Sequence, residues 1–102
     1  MLKWREYLRI LVESVKEVFG GDVEVYVFGS AVEGKLTVDS DIDVAVVLRE
    51  VPRSGIERAR LLSKLWRVLE SRDVPWWYPL EIHLVTKEEL KLLQDLRLVR
   101  VL

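Results

Sequence analysis

VEVYVFGSAVEGKLTVDSDIDVAVVL, residues 23 to 48, decides the fold of this chain. Two apolar, β-rich runs, residues 23 to 28 and 42 to 48, predict two largely buried strands. Gly29-Ser30 ends the first run, and Asp41-Ile42-Asp43 begins the second. The connection between the runs is short enough to return the chain beside the first strand. The stretch therefore predicts two strands with a polar site where they meet.

Helix and strand signals flank this stretch on both sides. Apolar residues at helical spacing from residue 2 to 19 predict an amphipathic helix that ends at Gly20-Gly21. Ser54, with Glu57 three residues later, predicts a capped helix from about residue 55 to 71. The predicted core face of that helix consists of Ile56, Ala59, Leu62, Leu65, Trp66 and Leu69.

Residues 80 to 85 predict a third strand, and Thr86 with Glu89 predicts the start of a last helix through Leu90, Leu93 and Leu96. The expected fold class is α+β, with a small three-stranded mixed sheet flanked by helices. A length of 102 residues fits a single domain, residues 1–102, with no room for a separate substrate-binding domain.

Composition excludes several kinds of site and partner. The chain has no cysteine and one histidine, His83, so a metal would be held mainly by oxygen. A net charge of -1 argues against nucleic acid as the main partner. The charged amino terminus resembles neither a signal peptide nor a membrane span, so the expected location is the cytoplasm.

The Asp41-Ile42-Asp43 segment is a candidate metal site. Alternate residues of a strand share a face, so Asp41 and Asp43 project together, away from the core side of Ile42. A divalent cation relieves the repulsion between two such carboxylates, and hard oxygen ligands suit Mg²⁺ or Mn²⁺. Taken alone, the segment is better explained as a polar turn that leads into a strand, because Asp-rich turns of this kind are common.

The Gly29-Ser30 pair is a candidate phosphate site. Free backbone N–H groups at the start of a short helical turn bind anions, and glycine lets a phosphate approach the backbone. Taken alone, the pair is better explained as an ordinary turn with a serine cap. A nucleoside triphosphate needs an anion site and a cation site at once, and the two motifs together supply both.

This arrangement, Gly29-Ser30, ten residues, then Asp41 and Asp43, resembles the signature of the nucleotidyltransferase superfamily related to DNA polymerase beta. Length and element order are most similar to its minimal nucleotidyltransferases. The resemblance implies a metal-dependent transferase that moves a nucleoside monophosphate, AMP from ATP, to an acceptor hydroxyl. Asp41 and Asp43 would hold two Mg²⁺ ions, for which Mn²⁺ can substitute, and Gly29 and Ser30 would grip the outer phosphates.

The resemblance also implies a third carboxylate on a neighbouring strand. Glu81 is the candidate, as a metal ligand or as the group that assists deprotonation, although aspartate is usual there. His83 lies on the same strand face, and a lone histidine there is more often structural than a ligand. The basic residues common after the Gly-Ser pair are replaced by Ala31-Val32-Glu33. Lys35, Arg49 and Arg53 are the candidates to supply the missing positive charge for the triphosphate.

Minimal nucleotidyltransferases typically act beside a helical HEPN ribonuclease toxin, so the resemblance implies an antitoxin that adenylylates its partner. Trp76-Trp77-Tyr78 and the apolar tail, residues 96 to 102, are candidate contacts for that partner or for a second copy of the chain. The aromatics can equally cover the sheet edge, and the tail can equally be a strand or a docked segment. Two other functions stay open: an inactive binding module of the same fold, and a phosphohydrolase or nuclease that uses the same carboxylates.

Overall fold

The computed structural model describes residues 4–29, 41–75, 78–93 and 97–102 of the chain. The elements within these residues are, in order, α1 (Trp4–Phe19), β1 (Glu24–Phe28), β2 (Ile42–Val47), α2 (Gly55–Ser71), β3 (Leu80–Val85), α3 (Lys87–Lys91) and β4 (Val99–Arg100). The predicted α+β class is confirmed. Among the described helices, none has both the length and the apolar character needed to cross a membrane.

The strands form one mixed sheet in the order β3-β2-β1-β4. β1 pairs antiparallel with β2 and with β4, whereas β2 and β3 run parallel. Two parallel neighbours need a crossover connection, which α2 provides. The mixed sheet is therefore as predicted, but the predicted strand number of three was too low by one.

The additional strand comes from the apolar carboxy-terminal tail. Val99 lies opposite Val27, Arg100 lies opposite Tyr26, and the N–H of Val101 donates to the carbonyl of Val25 at 2.8 Å. A ladder of two residues is too short to show a strand periodicity in the sequence. The tail of this protein thus extends the sheet beyond β1.

The main hydrophobic core lies between one face of the sheet and helices α1 and α2. Leu11 and Val15 of α1, with Leu65 and Leu69 of α2, are fully buried. The strands contribute alternate residues to the same core: Val25, Val27, Ile42, Val44, Val46, Leu80, Ile82 and Leu84. The predicted inward direction of Ile42, Val44 and Val46 is confirmed.

The predicted start and end of α2 are confirmed, but part of its predicted core face was wrong. Ser54 caps the helix, and its hydroxyl accepts from the N–H of Glu57 at 3.4 Å. Ile56 is 68% exposed, and Ala59 is also exposed. The helix has 17 residues, about 25 Å, whereas a six-residue strand spans about 20 Å. The helix is therefore longer than the strands, and its first residues, 55 to 57, are exposed.

The last predicted helix is shorter than expected. Thr86 caps α3, and its hydroxyl accepts from the N–H of Glu89 at 3.2 Å. The helix ends at Lys91 because the N–H groups of Leu92 and Leu93 donate to carbonyls three residues back, which tightens the final turn. The prediction that the helix includes Leu93 was wrong, and Leu96 lies outside the described residues.

The aromatic segment predicted as a contact surface is only partly described. Trp76 and Trp77 lie outside the described residues. Tyr78 is buried, and its ring meets that of Tyr7 edge-on with centroids 4.4 Å apart. Tyr78 therefore joins α1 to the segment before β3 and is not an exposed contact residue.

Candidate active site

The candidate site lies on the sheet face opposite α1 and α2. Phe28, Asp43 and Glu81 stand in register on β1, β2 and β3, so they form one row across three adjacent strands. Ala45 and His83 pair in the row two residues further along β2 and β3. Since side chains alternate between the faces of a strand, these residues point away from the main core. The sheet itself thus positions the site.

Three potential ligand side chains converge on this face. Ligand atoms of Asp43, Glu81 and His83 all lie within 4.8 Å of one another. Nε2 of His83 is 3.8 Å from Oδ1 of Asp43 and 3.7 Å from Oε1 of Glu81. The Phe28 ring lies beside the imidazole, with ring centroids 5.7 Å apart. The cluster is half-open to solvent, since the side chains of His83 and Glu81 are 39% and 53% exposed.

Gly29 brings the backbone close to the Asp43 carboxylate. Its φ is +79°, a conformation that side-chain-bearing residues rarely adopt. A Cβ atom at this position would lie 2.5 Å from Oδ2 of Asp43. The Asp43 carboxylate therefore occupies the place that a side chain at residue 29 would need. This is a second role for a glycine that the sequence pattern singled out as a phosphate contact.

The electrostatic state of Asp43 depends on its neighbours. Partial burial, followed by the hydrogen bond and the charge of Glu81, raises the pKa of the Asp43 carboxyl, and His83 opposes the change. Two carboxylates this close favour sharing a proton over full ionisation. A cation held between them would remove the same repulsion, so the donor set of two carboxylates and one imidazole fits a divalent metal ion.

The structure places the residues predicted from the sequence at different distances from this cluster. Asp43 and Glu81 meet, as the shared face predicts. Asp41 is exposed immediately before β2, and its carboxylate is not in the group formed by Asp43, Glu81 and His83. Ser30 lies outside the described residues, as do residues 31 to 33 and Lys35.

The two arginines considered as phosphate contacts lie on the surface. Arg49 is exposed and pairs with Asp22 at 3.6 Å, and Arg53 is also exposed. Neither Arg49 nor Arg53 is among the three residues that converge beside Gly29. His83, in contrast, was predicted on the face of Glu81 but considered more often structural than a ligand, and Phe28 was not predicted as part of the site. The signal for them was the period of two along β1 and β3, which puts Phe28 and His83 on the face of Asp43 once the strand register is known.

Comparison with known proteins gives the family. The sequence pattern of the nucleotidyltransferase domain family matches residues 8–101, nearly the whole chain. The chain belongs to the nucleotidyltransferase domain family. The predicted relation to the DNA polymerase beta-like superfamily is thereby confirmed, and the site described above lies within the nucleotidyltransferase domain.

Relatives of this nucleotidyltransferase domain include known enzymes. Spectinomycin 9-adenylyltransferases of Staphylococcus aureus, including those of strains Mu50 and N315, are 39% identical to it over 64% of the chain. The match spans only about a third of their length, 32%. A candidate nucleotidyltransferase from Sulfolobus solfataricus, solved at 1.40 Å, has the same fold: the TM-score is 0.59 at 23% identity, over 92% of this chain and 82% of that one.

Proposed function

We propose that this nucleotidyltransferase domain is a metal-dependent adenylyltransferase that moves AMP from ATP to an acceptor hydroxyl. The observation that carries the proposal is the meeting of Asp43 and Glu81, in register on neighbouring strands, with Gly29 close against the Asp43 carboxylate. The adenylyltransferase relatives support ATP as the donor. Use of ATP is in keeping with a cytoplasmic location.

In the proposed reaction the acceptor oxygen forms a bond to the α phosphorus of ATP, and the bond from that phosphorus to the bridging oxygen breaks, which releases pyrophosphate. The acceptor proton passes to a carboxylate of the site, for which the more exposed Glu81 is suited. Asp43 and Glu81 would hold Mg²⁺ or Mn²⁺, with Asp41 as a further ligand. When bound, the metal supplies positive charge to the phosphates and acidifies the acceptor hydroxyl.

Backbone groups near Gly29 would contact the outer phosphates. Gly29 has no side chain, which lets a phosphate approach the main chain on a side that the Asp43 carboxylate does not occupy. Ser30 would add a hydroxyl donor to the same phosphates. This assignment rests on the motif resemblance, with Gly29 beside Asp43 as the supporting geometry.

For the acceptor we propose a hydroxyl on a helical partner protein of the HEPN type, with the domain acting as its antitoxin. The support is the resemblance to minimal nucleotidyltransferases. The adenylyltransferase relatives are named for a small molecule, spectinomycin, and the match covers about a third of those enzymes. A small-molecule hydroxyl is therefore the competing acceptor.

Transfer of label from [α-³²P]ATP tests the function. The protein is incubated with Mn²⁺ or Mg²⁺ and either the product of the adjacent gene or spectinomycin, with Asp43→Asn as the inactive control. Label on the partner protein supports both transfer and the antitoxin role. Label on spectinomycin alone keeps the transferase and refutes the protein acceptor, and pyrophosphate release without a labelled acceptor indicates a phosphohydrolase.

One observation favours the second candidate, a catalytically inactive binding module. The Asp41 carboxylate is exposed and is not among the three ligand side chains that converge, so only one aspartate of the motif belongs to this cluster. A module that neutralises its partner without chemistry needs neither aspartate. In that case Asp41→Asn and Asp43→Asn proteins would bind and inhibit the partner as well as the wild type, and no label would be transferred by any of the three.

A further inference from the structure

His83 is placed as a metal ligand would be placed. It follows Glu81 by two residues on β3, so both side chains leave the same face of the strand. Its Nε2 lies nearly equally far from the two carboxylates, 3.8 Å from Asp43 and 3.7 Å from Glu81. The Phe28 ring packs beside the imidazole and restricts the tilt of the histidine.

The distances suit a single ion in contact with all three side chains. An octahedral ion with ligands at about 2.1 Å separates neighbouring donor atoms by about 3.0 Å and opposite ones by about 4.2 Å. Both distances from Nε2 fall between these two values. The two distances from His83 thus need to change by less than 1 Å to suit one ion, and rotation of partly exposed side chains provides shifts of that size.

We propose that His83 is a nitrogen ligand of the metal held by Asp43 and Glu81, and that the site therefore selects Mn²⁺ over Mg²⁺. The inference rests on the metal site of the proposed function. Its physical basis is the donor type: Mg²⁺ prefers an all-oxygen shell, whereas imidazole nitrogen favours the transition metals. An all-carboxylate site has no comparable preference, so His83 sets the metal specificity of the domain.

Binding of Mn²⁺ to the full chain without nucleotide tests this directly. Pulsed electron paramagnetic resonance of the Mn²⁺ complex reports nitrogen bound to the metal, and free Mn²⁺ is titrated in the same samples. The informative variant is His83→Phe, which keeps a ring beside Phe28 and removes the nitrogen. Tyr26→Phe is the matched control, because Tyr26 lies on the same face of β1 and its hydroxyl bonds to Glu24, away from the cluster.

The wild type and Tyr26→Phe are expected to show ¹⁴N coupling to Mn²⁺, and His83→Phe none. Loss of one ligand should weaken Mn²⁺ binding at least about tenfold in His83→Phe and Mg²⁺ binding less than about threefold. Unchanged circular dichroism and melting temperature in His83→Phe show that the fold is intact.

Three results would overturn the inference: Mn²⁺ bound without ¹⁴N coupling, equal losses for the two metals, or coupling that persists in His83→Phe. In each of these cases Mn²⁺ binding that is abolished by Asp43→Asn, together with labelled transfer, leaves the proposed function intact. Full Mn²⁺ affinity in Asp43→Asn, with no transfer by the wild type, would instead refute the metal site on which both proposals rest.

Discussion

Gly29 combines two constraints at the level of a single residue. Its backbone is in the left-handed region, with φ at +79°, and a side chain there would collide with Asp43. Gly20, at the end of α1, has a similar φ of +92° but nothing within 4 Å of a Cβ. A side chain would strain the backbone at both glycines, but only at Gly29 would it also contact a residue of the site.

Replacement of Gly29 by alanine should affect stability and metal binding, whereas Gly20→Ala should affect stability alone. Each change is expected to lower the free energy of unfolding by about 1–2 kcal/mol, the cost of a left-handed alanine. Only Gly29→Ala should also displace the Asp43 carboxylate and weaken Mn²⁺ binding. Urea unfolding and Mn²⁺ titration of both variants measure this. Equal Mn²⁺ affinity in the two variants would contradict the close approach of Gly29 to Asp43.

Asp43→Asn should stabilise the metal-free protein at neutral pH. Burial, and then Glu81, raises the pKa of Asp43 above its usual 3.8, so the folded state holds this proton more tightly than the unfolded state. The stability that the protonated carboxyl contributes is full below pH 3.8 and is lost as the pH rises through the raised folded pKa. The asparagine variant does not undergo that loss.

The measurement is thermal unfolding in EDTA at pH 3 and pH 7. The melting temperature of Asp43→Asn should exceed that of the wild type at pH 7 and match it at pH 3. Added Mn²⁺ should reverse the order at pH 7, because only the wild type binds the ion tightly. A lower melting temperature of the metal-free variant at pH 7 would show that the charged carboxylate is stabilised in the fold.

Part of the site could be predicted from the sequence because strand periodicity assigns residues to a face. Asp43 and Glu81 follow from that periodicity and from the family pattern. The contact of Gly29 with Asp43 depends on the pairing of β1 with β2, which one strand alone does not specify. The position of His83 likewise depends on the register between β2 and β3. Cross-strand neighbours are the part that local sequence leaves undetermined.

At the level of elements, α2 shows how far capping and periodicity determine a helix. Its first and last residues agree with the prediction. The start could be predicted because Ser54 is a recognisable helix cap in the sequence. Its buried face does not fully agree, because periodicity marks apolar residues without showing where the sheet ends. Ile56 lies in the exposed first turn of the helix, whereas Leu65 and Leu69 are buried in the core.

Alanine substitutions in α2 should reproduce this division. Leu65→Ala is expected to lower the free energy of unfolding by about 2–5 kcal/mol, since it leaves a cavity in a fully packed region. Ile56→Ala, at a position 68% exposed, should change it by less than about 0.5 kcal/mol. Chemical denaturation of both variants provides the comparison. A large loss for Ile56→Ala would mean that the first turn of α2 is covered in solution, by a partner or by a second copy.

For the molecule as a whole, the pairing of β4 with β1 joins residues that are far apart in the sequence. The tail crosses the length of the chain to pair through Val99 and Arg100, and the ladder is two residues long. Both β4 residues are exposed. Backbone bonds between Val25 and residues 101 and 102, an ion pair of Arg100 with Glu24 at 3.2 Å, and the half-buried side chains of Val101 and Leu102 also hold this end in place.

Amide hydrogen exchange should therefore show that β4 opens before the rest of the sheet. Amides of residues 99 to 102 are expected to exchange at least about a hundredfold faster than those of Val44 and Val46, which lie in the centre of the sheet. Exchange measured by NMR at neutral pH resolves the two groups. Equal protection would mean that β4 and the central strands unfold together as one cooperative unit.

The short length of β4 also explains why the sequence predicted three strands and the structure has four. β1, β2 and β3 each have five or six residues, enough for an apolar pattern to be recognised. β4 is a strand only because β1 offers an unpaired edge to the tail. Tertiary pairing of this kind is absent from local propensity.

The division of the sheet into a packed face and a reactive face has a consequence for how such a domain evolves. Core residues such as Val44 and Ile82 alternate along the same strands with Asp43 and His83. Replacement of Glu81 by aspartate, or of His83 by a residue without an imidazole, changes no residue of the hydrophobic core. Single mutations on the face of Asp43 and His83 can therefore be accepted without first acquiring a compensating change in the core.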